Sequence, residues 1–227
     1  MKIVGLQKTT LLDYPEHVAA TVFLGGCNML CPFCHNAELI ENPEELCEDK
    51  SFFQFLEKRK GILDGVCISG GEPTIHHELP DFIKDIKSLG YLVKLDTNGT
   101  NPAMLRQLIQ DGRIDYVAMD IKSGLSSYAA ACGCKVSTNS ILESISILKE
   151  ERVPYEFRTT IVAELHQRKE MTEIGEMLQG ASKYFLQGFV PSEQVPVDYF
   201  HTPSIELLKE YQQLMKSFVP NTFIRGM

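Results

Sequence analysis

The chain has 227 residues, 44% apolar and 23% charged, with 22 Lys and Arg against 30 Asp and Glu for a formal net charge of −8. That balance is globular and long enough for a sizeable core; it excludes dominant disorder, and it lacks the basic excess of a nucleic-acid-coating protein. No apolar run reaches the roughly 18 residues of a membrane helix, and the first ten residues have neither an apolar core nor a cleavage-like site. A cytoplasmic chain with no membrane or nucleic-acid partner is therefore expected.

In chain order, strands are expected at Val18 to Leu24, Gly65 to Ser69, Tyr91 to Asp96, Asp115 to Asp120, Tyr155 to Val162 and Tyr184 to Phe189. These runs are short, rich in Val, Ile, Phe and Tyr, and mostly apolar on both faces, as buried parallel strands are. Helical patterns fall between them, at Ser51 to Lys60, Leu79 to Leu89, Pro102 to Gln110, Leu125 to Ala131, Asn139 to Glu150 and Gln167 to Gln179. Ile141, Leu142, Ile145 and Leu148 form one apolar face, with Pro154 soon after. A last helix is expected over Ser204 to Phe218, with a short closing strand at Thr222 to Ile224. Alternating strand and helix predict an α/β fold with a parallel sheet and right-handed crossovers. Six strands are two short of a closed barrel, so a partial (β/α)6 TIM-like barrel fits best, with a doubly wound open sheet as the runner-up. One domain is expected over residues 1–227.

Seven cysteines are distributed unevenly: Cys27, Cys31 and Cys34 crowd together, Cys132 and Cys134 form a pair, and Cys47 and Cys67 stand alone. In a cytosolic chain such a cluster is read as metal or redox chemistry before disulfides. Cys31-Pro-Phe-Cys34-His35 matches the pattern of c-type haem attachment, but no export signal accompanies it. Cys31 and Cys34 could be a thiol redox pair, which leaves Cys27 without a purpose. Three cysteines plus His35 could close a zinc site, although adjacent Cys34 and His35 depart from usual ligand spacing. All three could be plain buried thiols. Finally, three thiolates could hold a [4Fe–4S] cube, leaving one iron open for a substrate or cofactor.

Three further motifs begin at the carboxyl ends of expected strands, the face where parallel βα folds bind and react. Ser69-Gly70-Gly71-Glu72-Pro73 reads either as a strand-ending turn or as bare backbone plus one carboxylate able to accept from an ammonium. Asp96-Thr97-Asn98-Gly99 reads as an Asx turn, and Asp120-Ile121-Lys122 as a solvated charge pair, until both are placed on the same rim. Arg158, charged within a buried run, could reach a ligand carboxylate or pair with a core carboxylate such as Glu156.

The C-x3-C-x2-C spacing with Phe33 before the third cysteine resembles the signature of the radical S-adenosylmethionine (radical SAM) enzymes. Gly5 to Pro15, the Cys-Pro-x-Cys-His-Asn segment and Glu156-Phe-Arg-Thr-Thr160 are similar to the anaerobic ribonucleoside-triphosphate reductase activating proteins, which are glycyl-radical-activating enzymes. The resemblance runs from Met1 to about Phe189. Glu16 departs from it by replacing the glycine usual after Asp-Tyr-Pro, and Ala37 by replacing a proline.

What the resemblance implies is specific. Cys27, Cys31 and Cys34 would ligate one [4Fe–4S] cluster, with Phe33 and His35 among the cofactor-binding positions. Gly71 and Glu72 would receive the SAM amino group. Asp96, Thr97, Asp120 and Lys122 would serve SAM binding and a monovalent cation site, as matching motifs do in pyruvate formate-lyase activating enzyme; Arg158, apart from the resemblance, is expected among the cofactor-binding positions with pairing to a core carboxylate as the alternative. The implied reaction is reductive cleavage of SAM to methionine and a 5′-deoxyadenosyl radical, which takes a hydrogen atom from a glycine Cα of a partner enzyme. That partner is expected to be anaerobic ribonucleotide reductase, and the reductant flavodoxin or ferredoxin. No side chain is required as acid or base. Alternatives are a radical SAM enzyme acting on a small heterocycle such as a deazapurine, and a non-catalytic cluster or zinc protein. Cys132 and Cys134 are expected to fill a turn without a metal role.

Overall fold

The computed structural model describes residues 1–40 and 44–226. Among them, eight strands form one sheet in sequential order: β1 (Ile3–Thr10), β2 (Ala19–Leu24), β3 (Gly65–Gly70), β4 (Leu92–Thr97), β5 (Tyr116–Asp120), β6 (Tyr155–Ile161), β7 (Tyr184–Gly188) and β8 (Thr222–Arg225). β1 runs antiparallel to β2, and every other neighbouring pair is parallel. The six expected parallel strands are all present. A strictly sequential order rules out the doubly wound alternative, which needs a reversal of strand order. The result is an α/β incomplete barrel with β1 and β8 as its edges.

Helices fill each crossover: α1 (Asp49–Lys58), α2 (Leu79–Ser88), α3 (Pro102–Gln110), α4 (Tyr128–Cys132) followed by α5 (Thr138–Lys149), α6 (Arg168–Leu178) and α7 (Ile205–Met215). Local chemistry sets their starts. The Asn101, Ser137 and Ser204 side chains accept from backbone N–H groups of the first turns of α3, α5 and α7, and Gln167 with Glu170 forms a reciprocal capping box on α6. α2 buries Leu79, Phe82, Ile83 and Ile86, an i, i+3, i+4, i+7 stripe. On α5, Ile141, Ile145 and Leu148 are buried as expected, while Leu142 is on the exposed side and Ile147 takes its place in the core.

The strand period of two then separates two environments. Val22, Leu24, Val66, Ile68, Val93, Leu95, Val117, Met119, Phe157 and Leu186 are fully buried in the layer shared with the helices. On the other face, Tyr14, Ala19 and Tyr116 form a small separate apolar cluster at the amino ends of the strands, closing the barrel floor. Asp13, from the same β1–β2 connection, accepts from the Thr21 hydroxyl at 2.6 Å. Above this floor the interior is polar, and the site is built there. No helix among the described residues is long and apolar enough to cross a membrane.

Candidate active site

One cavity of about 250 Å³ opens at the carboxyl ends of the strands. Cys27, Cys31 and Cys34 line it together with Phe33, His35, Gly71, Glu72, Asp96, Thr97, Asp120, Lys122 and Arg158. The structure therefore brings all twelve sequence-predicted site residues to one place. The seven cysteines are all free thiols.

The cysteine loop follows β2 and is tied down by backbone bonds. Gly71 N–H donates to Leu24 O at 2.9 Å, and Glu72 N–H donates to Gly26 O at 2.8 Å. This approach explains a glycine at 71: a Cβ there would stand 1.9 Å from Gly26 O. The Asn28 side chain donates to Thr100 at 2.8 Å and accepts from Asn98 at 2.9 Å, linking the cysteine loop to the turn after β4.

Glu72 is buried and serves as a brace. Its Oε1 accepts from Thr74 N–H at 3.0 Å, the Thr74 hydroxyl at 2.5 Å and the Thr97 hydroxyl at 2.7 Å, while Oε2 accepts from Asn98 N–H at 2.6 Å. Burial pushes the carboxyl above its ordinary range, against the pull of these donors. Oε2, with a single donor, keeps capacity for a ligand ammonium.

Beneath the cysteines, charges alternate across three strands. Lys94, almost wholly buried, donates to Asp96 and lies 3.6 Å from the Cys67 sulfur. Arg158 donates to Asp96 at 3.4 Å and to Asp120 at 2.8 Å, and Lys122 donates to Asp120 at 3.1 Å. Against the penalty of burial, these cations hold both carboxyls below the ordinary carboxylate range. Glu156 is not the partner of Arg158. It sits one layer deeper, where Arg225 reaches it at 2.8 and 3.1 Å and the Tyr116 hydroxyl at 3.0 Å.

The Asp96 and Asp120 carboxylates, where a monovalent cation site is expected, are each held by two cationic side chains.

The three thiols fit an iron–sulfur cube better than a single ion. Among the described residues no three His, Cys, Asp or Glu side chains converge as a one-ion site requires, and His35 Nε2 is engaged with Val190 O at 2.7 Å. Burial pushes the Cys27 thiol up to about 11 and raises Cys34 as well, whereas hydrogen bonding with Cys132 lowers Cys31 to about 7. The Lys122 ammonium favours the thiolate form of all three. Three thiolates beside a fixed cation are the donor set of a cluster that leaves one iron open.

Sequence reasoning quoted Ser69 and Thr160 within its motifs without giving them a role, and missed Gln187 on the cavity wall and Lys94 below it. The signal was present in the strand period, since Lys94 precedes Asp96 by two residues and Thr160 follows Arg158 by two.

A sequence profile described as the Radical SAM superfamily matches residues 21–176. The chain is 31% identical over 231 residues to a Methanocaldococcus jannaschii protein named "Putative glycyl-radical enzyme activating enzyme", covering 97% of this chain and 94% of that one. It is 36% identical over 77 residues, 34% of each chain, to the 7-carboxy-7-deazaguanine synthase of Aquifex aeolicus. In structure it resembles a domain of pyruvate-formate lyase-activating enzyme from Bacteroides vulgatus, with a TM-score of 0.56 at 23% identity, covering 71% of this chain and 99% of that one.

Proposed function

Because the chain belongs to the radical SAM superfamily, whose fold implies a [4Fe–4S] cluster and SAM, we propose that it activates a glycyl-radical enzyme. Anaerobic ribonucleotide reductase is the proposed partner, and flavodoxin or ferredoxin the proposed reductant. The observation that carries this reading is the near full-length similarity to a protein named for glycyl-radical enzyme activation, with three thiols and a charged rim sharing one cavity.

When bound, the cluster and SAM supply a one-electron cleavage of the SAM carbon–sulfur bond and a group that abstracts hydrogen. The chain's own residues bind and orient. Cys27, Cys31 and Cys34 are the proposed cluster ligands, and Phe33 and His35 flank them on the cavity wall. Gly71 and the Glu72 Oε2 receive the SAM ammonium; Arg158, between Asp96 and Asp120, is the cation available to its carboxylate. Thr97 fixes Glu72 from the neighbouring strand, and Lys122 offsets the negative charge of the thiolates.

The test is anaerobic incubation of the reconstituted protein, SAM and reductant with ribonucleotide reductase from the same source. A glycine-centred EPR doublet is expected. The second reading, conversion of a small heterocycle, rests on the partial match to a deazaguanine synthase. Heterocycle turnover without any glycyl radical would establish that reading instead.

A further inference from the structure

Past the end of β5 the chain leaves the sheet, and two successive carbonyls there are held by side chains from β6 and the turn after it. The Thr159 hydroxyl, itself fixed by the Tyr184 hydroxyl at 2.7 Å, donates to Ile121 O at 2.8 Å. His166, fully buried in the turn between β6 and α6, meets Lys122 O through Nε2 at 2.8 Å, and its Nδ1 lies 3.0 Å from Val162 N. Burial holds the ring below its ordinary range, so it is neutral and carries one ring hydrogen. Only a donor can bond a carbonyl, so Nε2–H donates to Lys122 O and Nδ1 accepts from Val162 N–H. The same ring packs edge-on against Phe33, with 6.3 Å between centroids. A rigid imidazole thus joins the end of β5, the β6–α6 turn and the cysteine loop, three segments remote from one another in sequence.

We infer that His166 is a positioning residue for the SAM site: its Nε2–H bond to Lys122 O sets where the Lys122 ammonium stands on the cavity wall. The inference rests on the reading of this cavity as the SAM site. A long, flexible lysine is placed by two anchors, its backbone and the partner of its ammonium. That partner is Asp120 at 3.1 Å, which also accepts from Arg158 at 2.8 Å and so does not belong to Lys122 alone. The backbone anchor therefore matters. The other hydrogen bond at the Lys122 backbone, from its N–H to the Tyr128 hydroxyl, is longer at 3.4 Å. Without His166 the Lys122 carbonyl loses its partner, and the segment must shift to find another, carrying the ammonium with it.

The experiment is calorimetric titration of SAM into the anaerobically reconstituted holoprotein, comparing the unaltered chain with His166→Asn, His166→Gln and His166→Phe. His166→Asn keeps an acceptor for Val162 N–H but falls short of Lys122 O, His166→Gln extends a donor that far, and His166→Phe keeps a ring against Phe33 with neither bond. Iron per chain is expected to be equal throughout. His166→Asn and His166→Phe should weaken SAM binding about fivefold, the order of one hydrogen bond of ordinary net strength, and His166→Gln should stay within about twofold of the unaltered protein. Added to Lys122→Ala, His166→Asn should change the affinity by less than about twofold, because the group it positions is gone. If His166→Asn does not fold, His166→Phe carries the same two comparisons. Unchanged SAM affinity in the folded variants, an equal loss with and without the Lys122 side chain, or a His166→Gln variant as weak as His166→Asn would overturn the inference. Loss of iron that accounts for the weaker binding would overturn it as well, by placing the defect in the cysteine loop. An unaltered holoprotein that assembles its cluster yet binds no SAM would instead refute the reading of the cavity, and this inference with it.

Discussion

Replacing Lys94 by Met tests whether the polar barrel interior is a coupled charge system. Met conserves most of the side-chain volume, so the change removes charge without opening a large void. Breaking a buried ion pair from one side usually destabilises by about 3–5 kcal/mol, because the remaining charge is left uncompensated. Here Asp96 keeps Arg158 at 3.4 Å and the Ser69 hydroxyl at 3.2 Å, which places the expected loss at the lower end. About 3 kcal/mol is expected from urea unfolding, read as a lower midpoint at unchanged slope. In Lys94→Met/Asp96→Asn the two effects should couple by about 2 kcal/mol, since a neutral residue 96 no longer needs the ammonium. The pH dependence has a definite sign. Asp96 is held below the ordinary carboxylate range, against burial, by Arg158 and Lys94. It therefore contributes stability that is present above the unfolded-state value and is lost as pH falls through the folded one. Without Lys94 the folded value rises toward the unfolded one, so the window narrows and the variant should lose less stability on acidification than the unaltered protein. A loss under about 1 kcal/mol, or strictly additive single and double variants, would refute the coupled network.

Two further predictions follow from single features. Glu16 has φ 65° in the β1–β2 connection, at the position where the resembling family carries glycine. Glu16→Gly should stabilise by about 0.5–1 kcal/mol, the left-handed penalty of a side chain less the extra entropy of glycine, and a lower urea midpoint would contradict this. Because Lys94, Arg158 and Lys122 already neutralise Asp96 and Asp120, SAM affinity should change less than about twofold when sodium or potassium is replaced by tetramethylammonium at fixed ionic strength. A larger dependence, measured by calorimetry on the reconstituted protein, would show that the rim holds an exchangeable cation.

The parallel strands were legible because each is a short apolar run bounded by turn residues, and the rim motifs were legible because each follows such a run. β1 escaped notice for the converse reason. Gln7, Lys8 and Thr9 are exposed, so this antiparallel edge strand shows no continuous apolar stretch. The inward-facing charges were harder to read. Lys94 and Arg158 sit in strands that look apolar overall, and their partners lie on other strands, which no local spacing reveals. Glu156 beside Arg158 in sequence was a plausible partner, but both face inward at different depths, and Arg225 from β8 takes Glu156. The Cys132 turn was read as isolated because its nearest cysteines in space, those of the 27–34 loop, are remote in sequence.

The central claim is that Cys27, Cys31 and Cys34 hold a cluster that cleaves SAM at this cavity. It is tested most directly by quantifying 5′-deoxyadenosine after anaerobic reconstitution, with SAM and a strong reductant, for the unaltered protein and for Cys31→Ala. The account predicts 5′-deoxyadenosine and methionine in equal amounts from the unaltered protein and neither product from Cys31→Ala. A folded protein that binds only zinc and yields no 5′-deoxyadenosine, or a Cys31→Ala variant as active as its parent, would contradict it.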